Sequence, residues 1–411
     1  MTITEAGLNR ATLARQSLLE REESPVPEAV RRAVALQAQH PASPYVALWN
    51  RVSGFDASEL DTAFADGVVV KATLMRITLH AVHARDYPAF RSAVQPTLRA
   101  ARLDGRFRAT GMSPEEIDAL VPELMRFAGT PRTTAEIDAW LRTRPGVPAD
   151  PAVWRALRAI TTLVHRPSGG PWAFEHRPVY RAAEMPPPLD REAADAALPA
   201  LVHRYLTAFG PATVADVAQF SLVPRARIRD ALAALTATDA QNAPDAPHAP
   251  HAPADAGRAP APPGGGVERL PGPAGETLYD VPGAPRPPGD VPAPPRLLGM
   301  WDSVLLAYAD RSRVIPAEYR TLVTRVNGDM LPTLLVDGRV AGVWRATAAG
   351  VEATAFRPLP AGVWRALSAE AEGLVALLAG RDPEVYRRHH HWWAKFGDAA
   401  AEVRLLAGPG G

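Results

Sequence analysis

Two glutamines one residue apart, Gln37 and Gln39, stand in the string Leu36-Gln37-Ala38-Gln39-His40-Pro41. Their amides offer donors and acceptors and have no proton that titrates near neutrality. Aimed into one space, two such groups can hold and orient a water molecule. On a continued helix they would not converge, because only residues three or four apart share a face. Pro41 ends the helix, since the residue before a proline is pushed out of the α region. The spacing therefore predicts Gln37 in a last helical turn and Gln39 on the exit. The plain alternative is a pair of solvated glutamines at a helix end.

Other chemistry-bearing residues make weaker patterns. There is no Gly-x-Ser-x-Gly elbow and no His-Glu-x-x-His. His389-His390-His391-Trp392-Trp393 invites a metal reading, but adjacent helical residues point about 100° apart, so the three imidazoles cannot grip one ion. It reads better as a half-exposed helix with Trp392 or Trp393 in the core. His40, and His80 or His83, are candidates to line a wall near the glutamines. Asp302 is the carboxylate expected to support them; the alternative is a turn cap. No metal and no cofactor are expected. Cysteine is absent, which removes disulfides, thiolate ligands and a cysteine nucleophile and fits a cytoplasmic protein.

A chain of 411 residues, 47% of them hydrophobic, is expected to fold as several domains. Met1-Thr2-Ile3-Thr4-Glu5 does not resemble a signal peptide. No run of about 18 apolar residues predicts a membrane span. The net charge of +1 does not advertise nucleic acid, yet Lys71 and Lys395 are the only lysines among 45 basic residues. Arginine suits bidentate phosphate contacts. A GC-rich genome explains the same bias.

The elements that position these residues recur in one order. In residues 1–110, helices over 8–22, 28–37 and 45–52 and a fourth from Asp56 precede strands over 68–74 and 77–82. In 111–187, the capping box Thr133-Thr134-Ala135-Glu136 opens a helix and 151–163 forms another. Strands over 163–165 and 172–175 then make a wing. In 188–295, a helix over 193–209 and a short one from Thr213 lead into a third over 225–235. That third helix carries Arg225, Arg227 and Arg229, the best helix-turn-helix signal in the chain. An Ala/Pro-rich insert at about 242–275 is expected to be disordered, with a strand at 276–281. Residues 296–411 read as strand-rich, with strands over 303–308, 322–326, 333–336 and 340–344. Asn327-Gly328 and Asp337-Gly338 mark hairpins, and helices over 368–378 and 383–395 close the chain.

With its Leu36-Gln37-Ala38-Gln39 motif, three helix-helix-ribbon units and the string Trp301-Asp302-Ser303-Val304-Leu305-Leu306-Ala307-Tyr308-Ala309-Asp310-Arg311, the chain resembles the HTH_42 winged-helix family of bacterial DNA glycosylases. The resemblance covers nearly the whole length. It is to the AlkZ-like branch, which carries Gln-x-Gln rather than Gln-x-Asp. It implies an α+β fold of tandem winged helix-turn-helix domains with a strand-rich C-terminal segment, forming a C-shaped DNA channel. It also implies a hairpin that probes the duplex and hydrolysis of N-glycosidic bonds of alkylated purines, in repair and in self-resistance to DNA-alkylating natural products. The partner is then double-stranded DNA carrying alkylated purines, met by a monomer that needs no protein partner and no membrane.

The residues suit that chemistry. An N7-alkylated purine already carries positive charge, so it leaves as a neutral base without a general acid. Amide oxygens of Gln37 and Gln39 can stabilise the oxocarbenium-like sugar and place a water. Lys71, Arg76, Arg225, Arg227, Arg229, Arg325, Asn327 and Arg339 are the candidates for DNA contact, Asn327 at the tip of a probing hairpin. The main alternative is a winged-helix transcription regulator without catalysis, and a third reading is a protein that sequesters a toxic agent. A regulator is expected to be a two-fold dimer, and three non-identical units in one chain argue against it.

Overall fold

The β-branched run Val68-Val69-Val70 forms the first ribbon, as its residue types require. In the computed structural model, which describes residues 3–175, 177–185, 190–241 and 266–408, that ribbon is part of a larger sheet. Its strands are β1 (Leu36–Gln37), β2 (Val69–Thr73), β3 (Leu79–His83), β4 (Arg132–Thr133), β5 (Leu163–Arg166) and β6 (Val179–Ala182). The order is β1-β3-β2-β5-β6-β4, antiparallel throughout. The ribbons of the first and second units thus fuse, through Lys71 opposite His165.

The third unit holds the expected helix pair. Val214–Ser221 opens on a capping box between Thr213 and Asp216. Leu222 turns the chain in a left-handed conformation, φ 57°, and Arg225–Gln241 follows. Strands Glu268–Pro271 and Thr277–Asp280 form its ribbon. The C-terminal sheet runs Glu402–Ala407, Gly350–Ala355, Arg339–Thr347, Thr333–Val336, Arg296–Leu298, with helix Ala361–Ala379 packed on it. Asp337 (φ 48°) and Gly338 (φ 77°) make its tight hairpin, the geometry Asp-Gly favours.

One apolar core joins the first unit, the third unit and the C-terminal sheet, while Phe107, Ile117, Leu124, Val153 and Leu157 centre a separate core in the second. The N-terminal helix Glu5–Arg15 has no apolar stripe because it is surrounded. Asn9 donates to Arg313 O and Gly338 O, and Arg15 forms a buried pair with Asp280 at 2.6 Å. Among the described residues, no helix is long and apolar enough to cross a membrane.

Several expectations are corrected. The second helix stops at Arg32, because Val34 adopts φ 66° and the chain then joins β3 as strand β1. The partner of β5 is β6, not 172–175: Trp172 and Phe174 pack instead on Tyr45 and Phe64, at ring distances of 5.0 and 4.8 Å. Residues 303–308 are not a strand; Asp302 caps a 3₁₀ turn, Ser303–Leu305. Where a strand was expected over 322–326, a helical turn Arg320–Val323 leads into a short hairpin closed by Arg325 N donating to Asp329 O. The histidine-rich segment Arg387–Lys395 is 3₁₀, with Trp392 buried. Residues 242–265 of the Ala/Pro-rich insert lie outside the described residues. Regular structure is met earlier in the chain than expected: Val267 is fully buried and strand pairing begins at Glu268.

Candidate active site

The expected broken helix is absent: Gln37 ends an edge strand and Gln39 stands in the bend just beyond it. The alternation of a strand covers Gln37 but does not extend through the bend to Gln39. Gln37 sits opposite His80, and Ala38 N donates to Leu79 O, continuing the ladder. The two amides differ sharply in setting: Gln37 is 6% exposed, whereas Gln39 is open to solvent.

Gln37 is held by Arg76. Nη2 of Arg76 donates to Gln37 Oε1 at 2.8 Å and to His80 Nε2 at 3.2 Å. His80 Nδ1 faces Thr78 O at 3.1 Å, so Nδ1 carries the proton and Nε2 accepts. Burial, then the nearby Arg76 charge, pushes His80 down to about 3, leaving it neutral at pH 7. Burial lowers Arg76 to about 10, with Arg311 adding to the effect, so Arg76 remains charged. Its Nη1 donates to Phe220 O at 3.1 Å and its guanidinium lies 5.2 Å from the Phe220 ring centre. Gln37 and Arg76 are therefore closed over by the end of the helix Val214–Ser221.

The turn that carries Arg76 is strained. Arg76 (φ 52°) and Ile77 (φ 60°) are successive left-handed residues, and for β-branched Ile77 this conformation is rare. The strain turns Arg76 toward Gln37, while Ile77 joins the lining of an open cavity of about 290 Å³. Gln39 stands on the same lining. Its Oε1 accepts only a long contact from Leu79 N, 3.5 Å, so this amide is loosely held.

The other expected residues are distributed as follows. His40 Nδ1 accepts from Ala42 N at 3.2 Å, and its ring meets Tyr386 edge-on at 4.7 Å. Asp302 is 3% exposed; Arg51 donates to both its oxygens at 2.8 Å and Val304 N to one. Lys71 is 4% exposed, with Nζ 4.2 Å from the Phe174 ring centre. Arg227 is buried against Asp195 at 2.5 Å, while Arg225 and Arg229 are exposed on the same helix. Arg339 is exposed at the start of its strand. Arg325 stacks between Trp392 (5.0 Å) and Phe396 (5.3 Å), beneath exposed Asn327 and fully exposed Val326. His389 Nδ1 meets Asp329 at 3.2 Å, and no metal-binding cluster occurs among the described residues. The geometry thus brings Gln37, Arg76 and His80 together, with Gln39 and Lys71 on the neighbouring cavity.

Sequence reasoning missed Arg76 as the partner of Gln37, and it missed Arg102, Arg155 and Arg158 around that cavity. One signal was available. A lone lysine at an inward position of a β-branched strand is costly to bury and therefore informative.

The chain is similar to known proteins over most of its length. The family model for DNA glycosylase AlkZ-like proteins matches residues 30–377. The interstrand DNA cross-link repair glycosylase of Streptomyces sahachiroi is 25% identical over 367 residues, 84% of this chain and 88% of that protein. Among solved structures, the Streptomyces sahachiroi DNA glycosylase AlkZ aligns with a TM-score of 0.70 at 21% identity, covering 93% of this chain and 99% of that one.

Proposed function

Since the chain belongs to the AlkZ-like DNA glycosylase family, we propose that it hydrolyses the N-glycosidic bond of N7-alkylated purines in duplex DNA as a monofunctional enzyme. The observation that carries this reading is the unequal pair of amides two residues apart, one on an edge strand and one just beyond it. Gln37 is fixed by Arg76, and Gln39 is exposed beside it on a cavity. Gln37 Oε1 already accepts from a cation, so its amide nitrogen is the end left to hold a water. The Gln39 oxygen is free to face the sugar as positive charge develops there. This division suits a leaving group activated in advance, because neither amide is a strong base and neutral purines would be spared. No cofactor enters the scheme.

The tandem units would form a C-shaped channel for the duplex, entered by a single copy of the chain. An open site of this kind admits bulky adducts that a tight flipping pocket excludes. That extends the reading to natural-product adducts and to self-resistance against the agents that make them. The Streptomyces relative is named for the repair of interstrand DNA cross-links.

The test is duplex DNA bearing one N7-methylguanine, scored for abasic sites with and without EDTA. The wild type is expected to excise under both conditions. Gln37→Ala and Gln39→Ala should each lose about 10²-fold or more while still binding DNA. Wild-type rates in both variants would move the site elsewhere.

A further inference from the structure

The cavity beside Gln39 is more than an approach to the amides. It lies on the seam where the first and second ribbons fuse, and four cations line it: Lys71, Arg102, Arg155 and Arg158. Two carboxylates offset them. Asp104 binds Arg155 at 2.6 Å, and Glu175 stands on the exposed lining. Among the described residues, the Arg158 side chain reaches only the Tyr180 hydroxyl, at 3.4 Å. The side chains of Lys71 and Arg102 make no hydrogen bond and no ion pair among the described residues.

Such an arrangement is costly without a counter-ion. A buried ammonium without a carboxylate loses its hydration, and the Phe174 ring repays only part of that. Burial lowers Lys71 to about 8, and burial with the charges of Arg155 and Arg158 lowers Arg102. Both remain largely charged at neutral pH. His165, on the same wall, is held neutral by burial and by Lys71, so it can donate or accept without adding charge. The donors therefore converge on an empty space of about 290 Å³, at the small end of ligand cavities.

We infer that this cavity seats one backbone phosphate of the lesion-bearing strand, with Lys71 and Arg102 as its principal ligands. The inference rests on the glycosylase reading, which brings a phosphodiester to this face. A phosphodiester oxygen is the acceptor that an ammonium and a guanidinium both match. Seated there, it would fix the strand beside Gln39 and hold the attached sugar within reach of the amide. Arg102 would thus be a positioning contact outside the Gln-x-Gln motif. The seam between two units becomes a register stop for the DNA rather than a general basic surface.

The experiment uses a full-length chain and a duplex with one tetrahydrofuran abasic analogue, which cannot be excised. Methylphosphonates replace single phosphates, one position at a time around the analogue. On unmodified backbone, Lys71→Met and Arg102→Met should each weaken binding by about 10-fold or more, the scale of a charge-assisted hydrogen bond. At one methylphosphonate position, and only there, wild type and both variants should bind equally. Equal losses at every position, or wild-type affinity in Arg102→Met, would overturn the proposal. So would saturable binding of inorganic phosphate that leaves DNA affinity unchanged, because the site would then serve a free anion. Melting curves verify folding, and Arg102→Met, only half-buried, carries the test if Lys71→Met does not fold. Binding alone is read here, so an enzyme that fails to excise N7-methylguanine can still pass this test.

Discussion

At the scale of residues, the site is governed by one cation placed where a cation is awkward. Arg76 fixes the Gln37 oxygen at 2.8 Å, yet its charge opposes positive charge developing on a nearby sugar. Spreading that guanidinium over His80, Phe220 O and the Phe220 ring moderates the conflict. Arg76→Met should release Gln37 and leave its oxygen without a partner. We expect excision to fall by about 10-fold, with stability reduced by about 1–3 kcal/mol for the unpaired buried acceptor. Arg76→Lys should recover part of the rate, since an ammonium can still reach one acceptor but cannot span Gln37, His80 and Phe220 together. An unchanged single-turnover rate in both variants would remove Arg76 from the site. Gln37 and Gln39 stood out in the sequence as candidates, although the motif by itself also suits a pair of solvated glutamines at a helix end. Arg76 was legible only as a basic residue, since its contacts with Phe220 span 144 positions.

At the scale of elements, two turns hold the chemistry in place. The turn between β2 and β3 stores strain at Arg76 and Ile77, which no composition rule announces. The helix expected through Gln37 was misread for a related reason: Val30, Val34 and Leu36 suit a helical stripe, but pairing to β3 outweighs local propensity. The second turn is the hairpin around Asn327 and Gly328. Its tip exposes Val326, while Asp329 anchors its base by accepting from Asn327 Nδ2 (3.0 Å), Trp392 Nε1 (3.2 Å) and His389 Nδ1 (3.2 Å). Trp301 Nε1 adds a bond to Gly328 O at 3.1 Å. The Asn-Gly pair made the turn legible, but its anchoring to the histidine-rich segment was not, because the partners lie about 60 residues away. If this hairpin probes the duplex, its rigidity matters more than its stability. Asp329→Ala should speed hydrogen exchange at Gly328 and Arg325, and it should lower excision efficiency by about 10-fold through misplacement. Faster exchange with undiminished excision would show that the hairpin does not touch the DNA.

At the scale of the whole molecule, the net charge of +1 conceals how charge is arranged. Buried pairs such as Arg15–Asp280 and Arg51–Asp302 use cations to tie the N-terminal helices to distant parts of the chain. Others, including Arg225, Arg229 and Arg339, are left exposed. The capped helices and the first ribbon were readable from capping boxes and a β-branched run, because those signals are local, whereas the second ribbon's return strand was not. The fusion of two ribbons into one sheet was not, since it depends on Lys71 facing His165 across 94 positions. If the exposed arginines meet phosphates, binding must depend on salt far more than on sequence. The logarithm of affinity should fall linearly with the logarithm of salt, and each lost phosphate contact should reduce the slope by about one. Arg225→Ala, Arg229→Ala and Arg339→Ala should weaken damaged and undamaged duplex alike, leaving the preference for the lesion intact. Selection from a random duplex library should yield no consensus, because phosphate contacts carry no base information. A palindromic sequence bound about 10³-fold tighter than random DNA would instead make operator recognition the main task of these helices. Measuring the salt slope and the library outcome on the same preparation separates the two.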